Sequence, residues 1–185
     1  MTNFEKHVEK RLGKLNGQQR PWKDVHIDYV NEIITFELRH LHTKQLAGIQ
    51  VYNWKGEKVR NNQGRYVTHV LKSTPVVFGL EYIYDASKTV YIVEGVMDCL
   101  SLRRLGVQAI AMLSNNAPKA IKKLLLDTLP NSVAVCDGDG AGRELAKYAH
   151  DAIFLEEGND PNSMSLAELQ HVLDSYHLFK KETLC

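Results

Sequence analysis

The chain has only three cysteines, Cys99, Cys136 and Cys185, and no two share a C-x-x-C spacing. An odd, scattered set excludes a disulfide scaffold and a structural zinc site, and it points to a reducing compartment. No apolar run approaches the ~18 residues that a membrane span requires. The N-terminal MTNFEKHVEKRLGK is charged throughout, so no signal peptide is expected and a cytoplasmic location is. Charge of one sign is also lacking: 23 Lys and Arg against 22 Asp and Glu leave a net charge of +1. That balance excludes a polybasic tail and an acidic disordered segment. It still permits a nucleic-acid partner, because local charge can be separated along a chain of neutral total. No internal repeat or low-complexity stretch is present, and the eight histidines show no metal-ligand spacing.

What is present is ordinary globular material: 185 residues, 44% of them apolar and 24% charged. That length suits one compact domain, or a catalytic domain with a small neighbour. From Lys88 onward, short apolar runs alternate with helical patterns. Thr89–Val93, Ala109–Leu113, Ser132–Cys136 and Ala152–Leu155 read as buried strands. Val96–Leu105, Pro118–Leu129 and Ala141–His150 read as helices, with Gly106 placed as a helix stop. Ser165 and Glu168 form a capping box for a last helix. The alternation implies parallel βαβ units and a covered sheet. Earlier residues differ. Phe4–Leu15 is expected to be an amphipathic helix, and Ile33–Arg39 and Ile49–Trp54 are expected strands around a turn-like TKQLAG. The expected organisation is a small α+β subdomain over 1–87, an α/β catalytic domain over 88–164 and a C-terminal helix over 165–185.

The chemistry-bearing residues sit at the ends of expected strands. Glu94 directly follows the first buried strand, within VEGVMD. Asp137 and Asp139 follow the third, within VCDGDGAGR. In an open parallel sheet, sites form beyond the carboxyl ends of the strands, so both clusters should meet on one edge. Gly138, Gly140 and Gly142 permit a tight turn and close backbone approach there. Asp98 and Asp160 add further carboxylates. Converging carboxylates repel and are costly to desolvate, and divalent cations remove that conflict. Oxygen donors without a Cys or His pattern favour Mg²⁺ or Mn²⁺. Metal-assisted phosphoryl or nucleotidyl transfer is the chemistry this points to. Taken singly, Asp137–Gly140 is an ordinary polar turn and Glu94 an acid answering a helix dipole. Their joint placement after two buried parallel strands is what favours a site.

VEGVMD (93–98) together with DGDGAGR (137–143) resembles the TOPRIM domain in its replicative-primase form. The segment LEEGNDPNSM (155–164) is similar to the primase stretch around its D-P-D motif, although Asn162 stands where the last carboxylate would be. Met112-Leu113-Ser114-Asn115 replaces the usual S-L-G and loses its glycine. The resemblance spans roughly residues 45–165 and implies a TOPRIM, Rossmann-like four-stranded parallel sheet with flanking helices. It implies metal binding by Glu94, Asp137 and Asp139, with Glu94 a ligand or an acid/base, and a supporting role for Asp98 and Asp160. Arg143 would hold phosphate or orient a carboxylate, a helix salt bridge being an equal alternative.

Lys58, Arg60, Arg65 and Lys72 lie in one basic stretch interleaved with Tyr52, Trp54 and Tyr66. Cations for phosphates and aromatic faces for bases suit a single-stranded template, though Trp22 and Tyr52 are better read as ordinary core aromatics. The resemblance tips Arg65 and Lys72 towards phosphate contacts. The function expected from it is a DNA primase core, phage-type in its small size. Such a core joins ribonucleoside triphosphates on single-stranded DNA, in the host cytoplasm if phage-encoded. A TOPRIM nuclease and a non-catalytic nucleic-acid-binding replisome subunit are the alternatives. Because the chain has no zinc-ribbon motif, a zinc-ribbon subunit or replicative helicase is the expected partner.

Overall fold

In a computed structural model, described for residues 1–13, 22–56, 64–71, 74–113, 119–138 and 142–183, the chain divides into two compact units, Met1–Tyr82 and Ile83–Cys185. The first begins with helix α1 (Asn3–Leu12). Thr2 caps it through a reciprocal capping box with Glu5. Phe4, Val8 and Leu12 recur every four residues and form its buried stripe. The expected helix ran to Leu15. It stops at Leu12 because Gly13 takes φ 85°, a left-handed conformation that glycine adopts without a Cβ penalty.

An antiparallel sheet follows, in the order β1 (Val25–Asp28), β2 (Ile33–His40), β3 (Leu46–Asn53) and β4 (Tyr66–Val70), with β5 (Val76–Val77) pairing the end of β2. In β2, Ile34, Phe36 and Leu38 alternate into the core, the period expected of a sheet with one buried face. The TKQLAG segment departs from its reading as a turn, because Leu46, Ala47 and Gly48 belong to β3. Gly48 instead serves close approach: a Cβ there would meet Val70 Cγ1 at 2.3 Å and His69 O at 2.6 Å. The β2–β3 register shifts opposite it, between Leu38 and Arg39. Strands β1 and β4 went unread because β1 is four residues long and β4 is exposed along its length, so neither shows a clear alternation.

The second unit is a parallel α/β layer. Strand β6 (Val90–Val93) leads through α2 (Val96–Arg104) to β7 (Gln108–Ala111). Helix α3 (Lys119–Thr128) leads to β8 (Ser132–Cys136). Then α4 (Gly142–Leu145) and a 3₁₀ turn (Ala146–Tyr148) lead to β9 (Asp151–Phe154), and α5 (Leu166–Thr183) ends the unit. The strand order is β7-β6-β8-β9, and every pairing is parallel. All residues of β6, β7 and β8 are buried, as continuous apolar runs require in a covered sheet. Gly106, at φ 79°, ends α2, and its N–H reaches Arg103 O at 2.9 Å. The capping box at Ser165 and Glu168 forms as expected: Ser165 N–H donates to Glu168 Oε2 at 2.8 Å and Glu168 N–H to Ser165 Oγ at 3.3 Å. The helix read over 141–150 is one α turn followed by a 3₁₀ turn. Leu145, ending the α turn, and Tyr148, ending the 3₁₀ turn, both insert into the core.

Candidate active site

The β6–β8 pair is the switch point of the sheet. From β6 the chain crosses to β7 on one side, and after β7 it passes back over β6 to β8 on the other. Helices departing in opposite directions leave a crevice at the carboxyl ends of such a pair. The register sets Val90, Tyr91 and Ile92 beside Ser132, Val133 and Ala134. Continued upward, it brings Glu94 and Asp137 out at the same edge of neighbouring strands. Glu94 is half-buried, and its carbonyl accepts the N–H of Leu113 at 2.8 Å, tying it to the end of β7.

Asp98 lies in the first turn of α2 and reaches back over that edge. Its Oδ1 accepts the Asn162 N–H at 3.3 Å, and its carboxylate also accepts from the Gly95 N–H. Burial first, then the charges of Asp137 and Asp160, push its pKa up to about 8. Asp160 folds its own loop, its Oδ1 accepting the N–H groups of Asn162 at 2.9 Å and Ser163 at 2.7 Å. The charges of two other expected carboxylates, Asp137 and Asp160, therefore both reach Asp98. At Asn162, the residue that breaks the expected acidic pattern, the part used by Asp98 and Asp160 is the backbone N–H.

Glycine packs this edge. A Cβ on Gly138 would lie 1.8 Å from Glu156 O, and its N–H donates to Asn159 O at 3.0 Å. A Cβ on Gly142 would lie 2.4 Å from Asp137 O. Both glycines do what the spacing predicts. Arg143 is exposed on α4 and lines a depression with Asp137, Gly138 and Glu157. Arg65 belongs to the first unit, where its Nε donates to Gly56 O at 3.1 Å and closes the β3–β4 hairpin. Asp139, Lys58, Arg60, Lys72, Gly140 and Ser114 lie outside the described residues. Among the described residues, no three His, Cys, Asp or Glu side chains close around one point as a ready metal cage. The donor chemistry nonetheless fits a hard divalent cation. The donors are oxygens only, and the charges of Asp137 and Asp160 add to burial in raising the pKa of Asp98, a repulsion that a bound cation would relieve. Sequence reasoning missed Phe154, read only as part of a strand. It is 58% exposed at the rim of the Arg143 depression, and its single visible signal is a large aromatic at the last position of an edge strand.

The Toprim-like family model matches residues 91–174. A DNA primase of Pseudomonas putida is 31% identical over 106 residues, covering 46% of this chain and 16% of that protein. A DNA primase of Pseudomonas aeruginosa is 32% identical over 93 residues, covering 43% and 14%. The chain thus spans about a sixth of the length of the curated relatives it matches. Among solved structures, a primase catalytic domain bound to single-stranded DNA superposes with a TM-score of 0.59 at 20% identity, covering 91% of this chain and 62% of that one. The zinc-binding and RNA polymerase domains of the Aquifex aeolicus primase give 0.59 at 22% identity, covering 85% and 43%. Residues 91–174, within the second unit, are therefore similar to the Toprim-like family, and the chain shares its fold with the solved primase cores.

Proposed function

We infer that the chain is the catalytic core of a DNA primase, joining ribonucleotides into a short primer on a single-stranded DNA template. The observation that carries this reading is the delivery of Glu94 and Asp137 to one edge by adjacent parallel strands at the switch point, with Asp98 and Asp160 closing on the same crevice. Sequence likeness to two bacterial DNA primases supports it. In the reaction, the 3′-hydroxyl of the growing primer attacks the α-phosphorus of an incoming ribonucleoside triphosphate, and pyrophosphate leaves. Glu94, Asp137 and Asp139 would hold Mg²⁺ or Mn²⁺, with Asp98 and Asp160 in support. Bound there, the cations supply charge stabilisation on the attacking and leaving oxygens. Asp98 is fixed by two backbone N–H groups, so it presents its carboxylate to the crevice without reorganising. Arg65 and Lys72 would contact template phosphates, with Lys58 and Arg60 beside them. A zinc-ribbon protein or a replicative helicase would supply recognition of a start sequence.

The test is synthesis on a single-stranded template with labelled ribonucleotides and Mg²⁺ or Mn²⁺. Template-dependent primers are expected, and Asp137→Asn should lower their yield at least ~100-fold while leaving the protein folded. Cleavage of the template with no synthesis would identify a nuclease using the same carboxylates. Binding with neither outcome would identify a non-catalytic subunit.

A further inference from the structure

The depression beside Asp137 has an exposed aromatic wall that the catalytic reading leaves unused. Phe154 is the last residue of β9, an edge strand, and it pairs in register with Cys136, the residue before Asp137. Paired strands run ~4.8 Å apart, so the root of the ring lies one strand spacing from the carboxylate edge. Cys136 faces Gly142 at the start of α4. Register partners share a face, so Phe154 points to the α4 side of the sheet. Helix α4 ends after a single turn, at Leu145, and does not extend over the edge strand. That is why a phenyl ring in a sheet whose other strands are wholly buried stays 58% exposed.

The backbone that carries the ring is held firmly. Leu155 N–H donates to Cys136 O at 3.1 Å and Gly138 N–H to Asn159 O at 3.0 Å, stitching the segment after β9 to the segment after β8. Arg143, exposed, lines the same depression as the ring, and the remaining described lining includes Asp137, Glu157 and Gly158. An exposed aromatic face on a fixed backbone, with one guanidinium lining the same depression, is a pairing that takes a nucleobase and its phosphate. Two carboxylates line the same depression, which disfavours a highly charged triphosphate, whereas one strand phosphate matches one guanidinium.

We propose that this depression is a subsite for one nucleotide of a nucleic-acid strand, its base stacked on Phe154 and its phosphate paired with Arg143. The proposal rests on the nucleic-acid reading above and adds to it a strand contact on the outer edge of the parallel sheet. The strand passing the carboxylate crevice would be gripped there on its way past Asp137.

The full chain is titrated with a labelled oligothymidylate in a metal-free buffer, so that the readout is binding and not synthesis. Phe154→Ala and Phe154→Leu should each weaken binding roughly 5- to 100-fold, the range for loss of one stacked base. Phe154→Trp should preserve affinity and add a fluorescence quench on binding beyond any that Trp22 and Trp54 give in the wild-type protein. Arg143→Ala should weaken binding and flatten its salt dependence by about one unit. Wild-type affinity in Phe154→Leu, or no added quench in Phe154→Trp while the strand still binds, overturns the subsite and leaves the primase reading standing. Quenching by a single ribonucleoside triphosphate but not by the strand overturns the strand assignment. A wild-type chain that binds no strand overturns both readings.

Discussion

At the scale of single residues, electrostatics and close packing make separate demands on the same edge. Asp98 carries a pKa of about 8 in the fold against ~3.9 in an unfolded chain. Between those values the folded state holds the extra proton, so metal-free stability falls as pH rises through this window and is regained as pH falls below it. Asp98→Asn keeps the amide-facing oxygen and removes the charge. It should stabilise the metal-free protein at about pH 8 by on the order of 2 kcal/mol, a figure reduced because neighbouring carboxylates share the titration. At about pH 5 the gain should nearly vanish. Urea denaturation at the two pH values with a chelator present measures both. Gly138 answers to geometry instead. Gly138→Ala sets a methyl against the Glu156 carbonyl, backbone on backbone, and should cost about 2–4 kcal/mol. Gly106→Ala offers the contrast: nothing lies within 4 Å of its Cβ position, so only the positive φ opposes it, and about 1 kcal/mol is expected in the same denaturation assay.

At the scale of elements, the second unit is held by polar anchors at strand and helix ends. Gln108, buried at the start of β7, accepts the N–H groups of Tyr84 and Asp85 through Oε1, both at 2.9 Å, and donates to Asp85 O at 2.8 Å. It therefore fixes the approach to β6 from inside the core. Gln108→Leu fills similar space and strands two backbone donors and an acceptor. A loss of about 2–3 kcal/mol is expected, with faster hydrogen exchange at Tyr84 and Asp85 as the site-specific check. Helix α5 is capped at Ser165 and pinned further along, where Tyr176 Oη donates to Asp151 Oδ2 at 3.0 Å and Tyr91 and His177 share a hydrogen bond of 2.8 Å. These elements differ in how readable they are. VYIV and SVAVC announce buried strands because both faces of each strand are covered. Asp151–Phe154 is half-covered, and its exposed Phe154 reads in sequence like any core aromatic.

At the scale of the whole molecule, cysteine placement bears on metal content. Cys99 and Cys136 are buried, in α2 and β8, and Cys99 Sγ donates to Ala109 O at 3.2 Å. Neither can join a four-ligand zinc cage without unfolding its element. Purified protein should carry no stoichiometric zinc by elemental analysis, and on the proposed primase reading its products should show little preference for template start sequence. Stoichiometric zinc would overturn the expectation that recognition is supplied by a partner.

The order of buried strands and helices after residue 88, the acidic residues at strand ends and the glycines beside them were all determined by local sequence, because burial on both faces and a tight turn each leave a local signature. Strand order is not local. Only the tertiary fold decided that β8 returns to the side of β6 opposite β7, and this makes Glu94 and Asp137 neighbours. The same holds for Gly48, whose reading as a turn failed because the reason for the glycine is Val70 on another strand. It holds again for Asp98, whose pKa is raised first by burial in the fold and then by the charges of Asp137 and Asp160, 39 and 62 positions away. Residue types and their spacing state which groups are available. Which of them share a crevice depends on crossover connections and long-range packing, and these carry no signature in any short window of the chain.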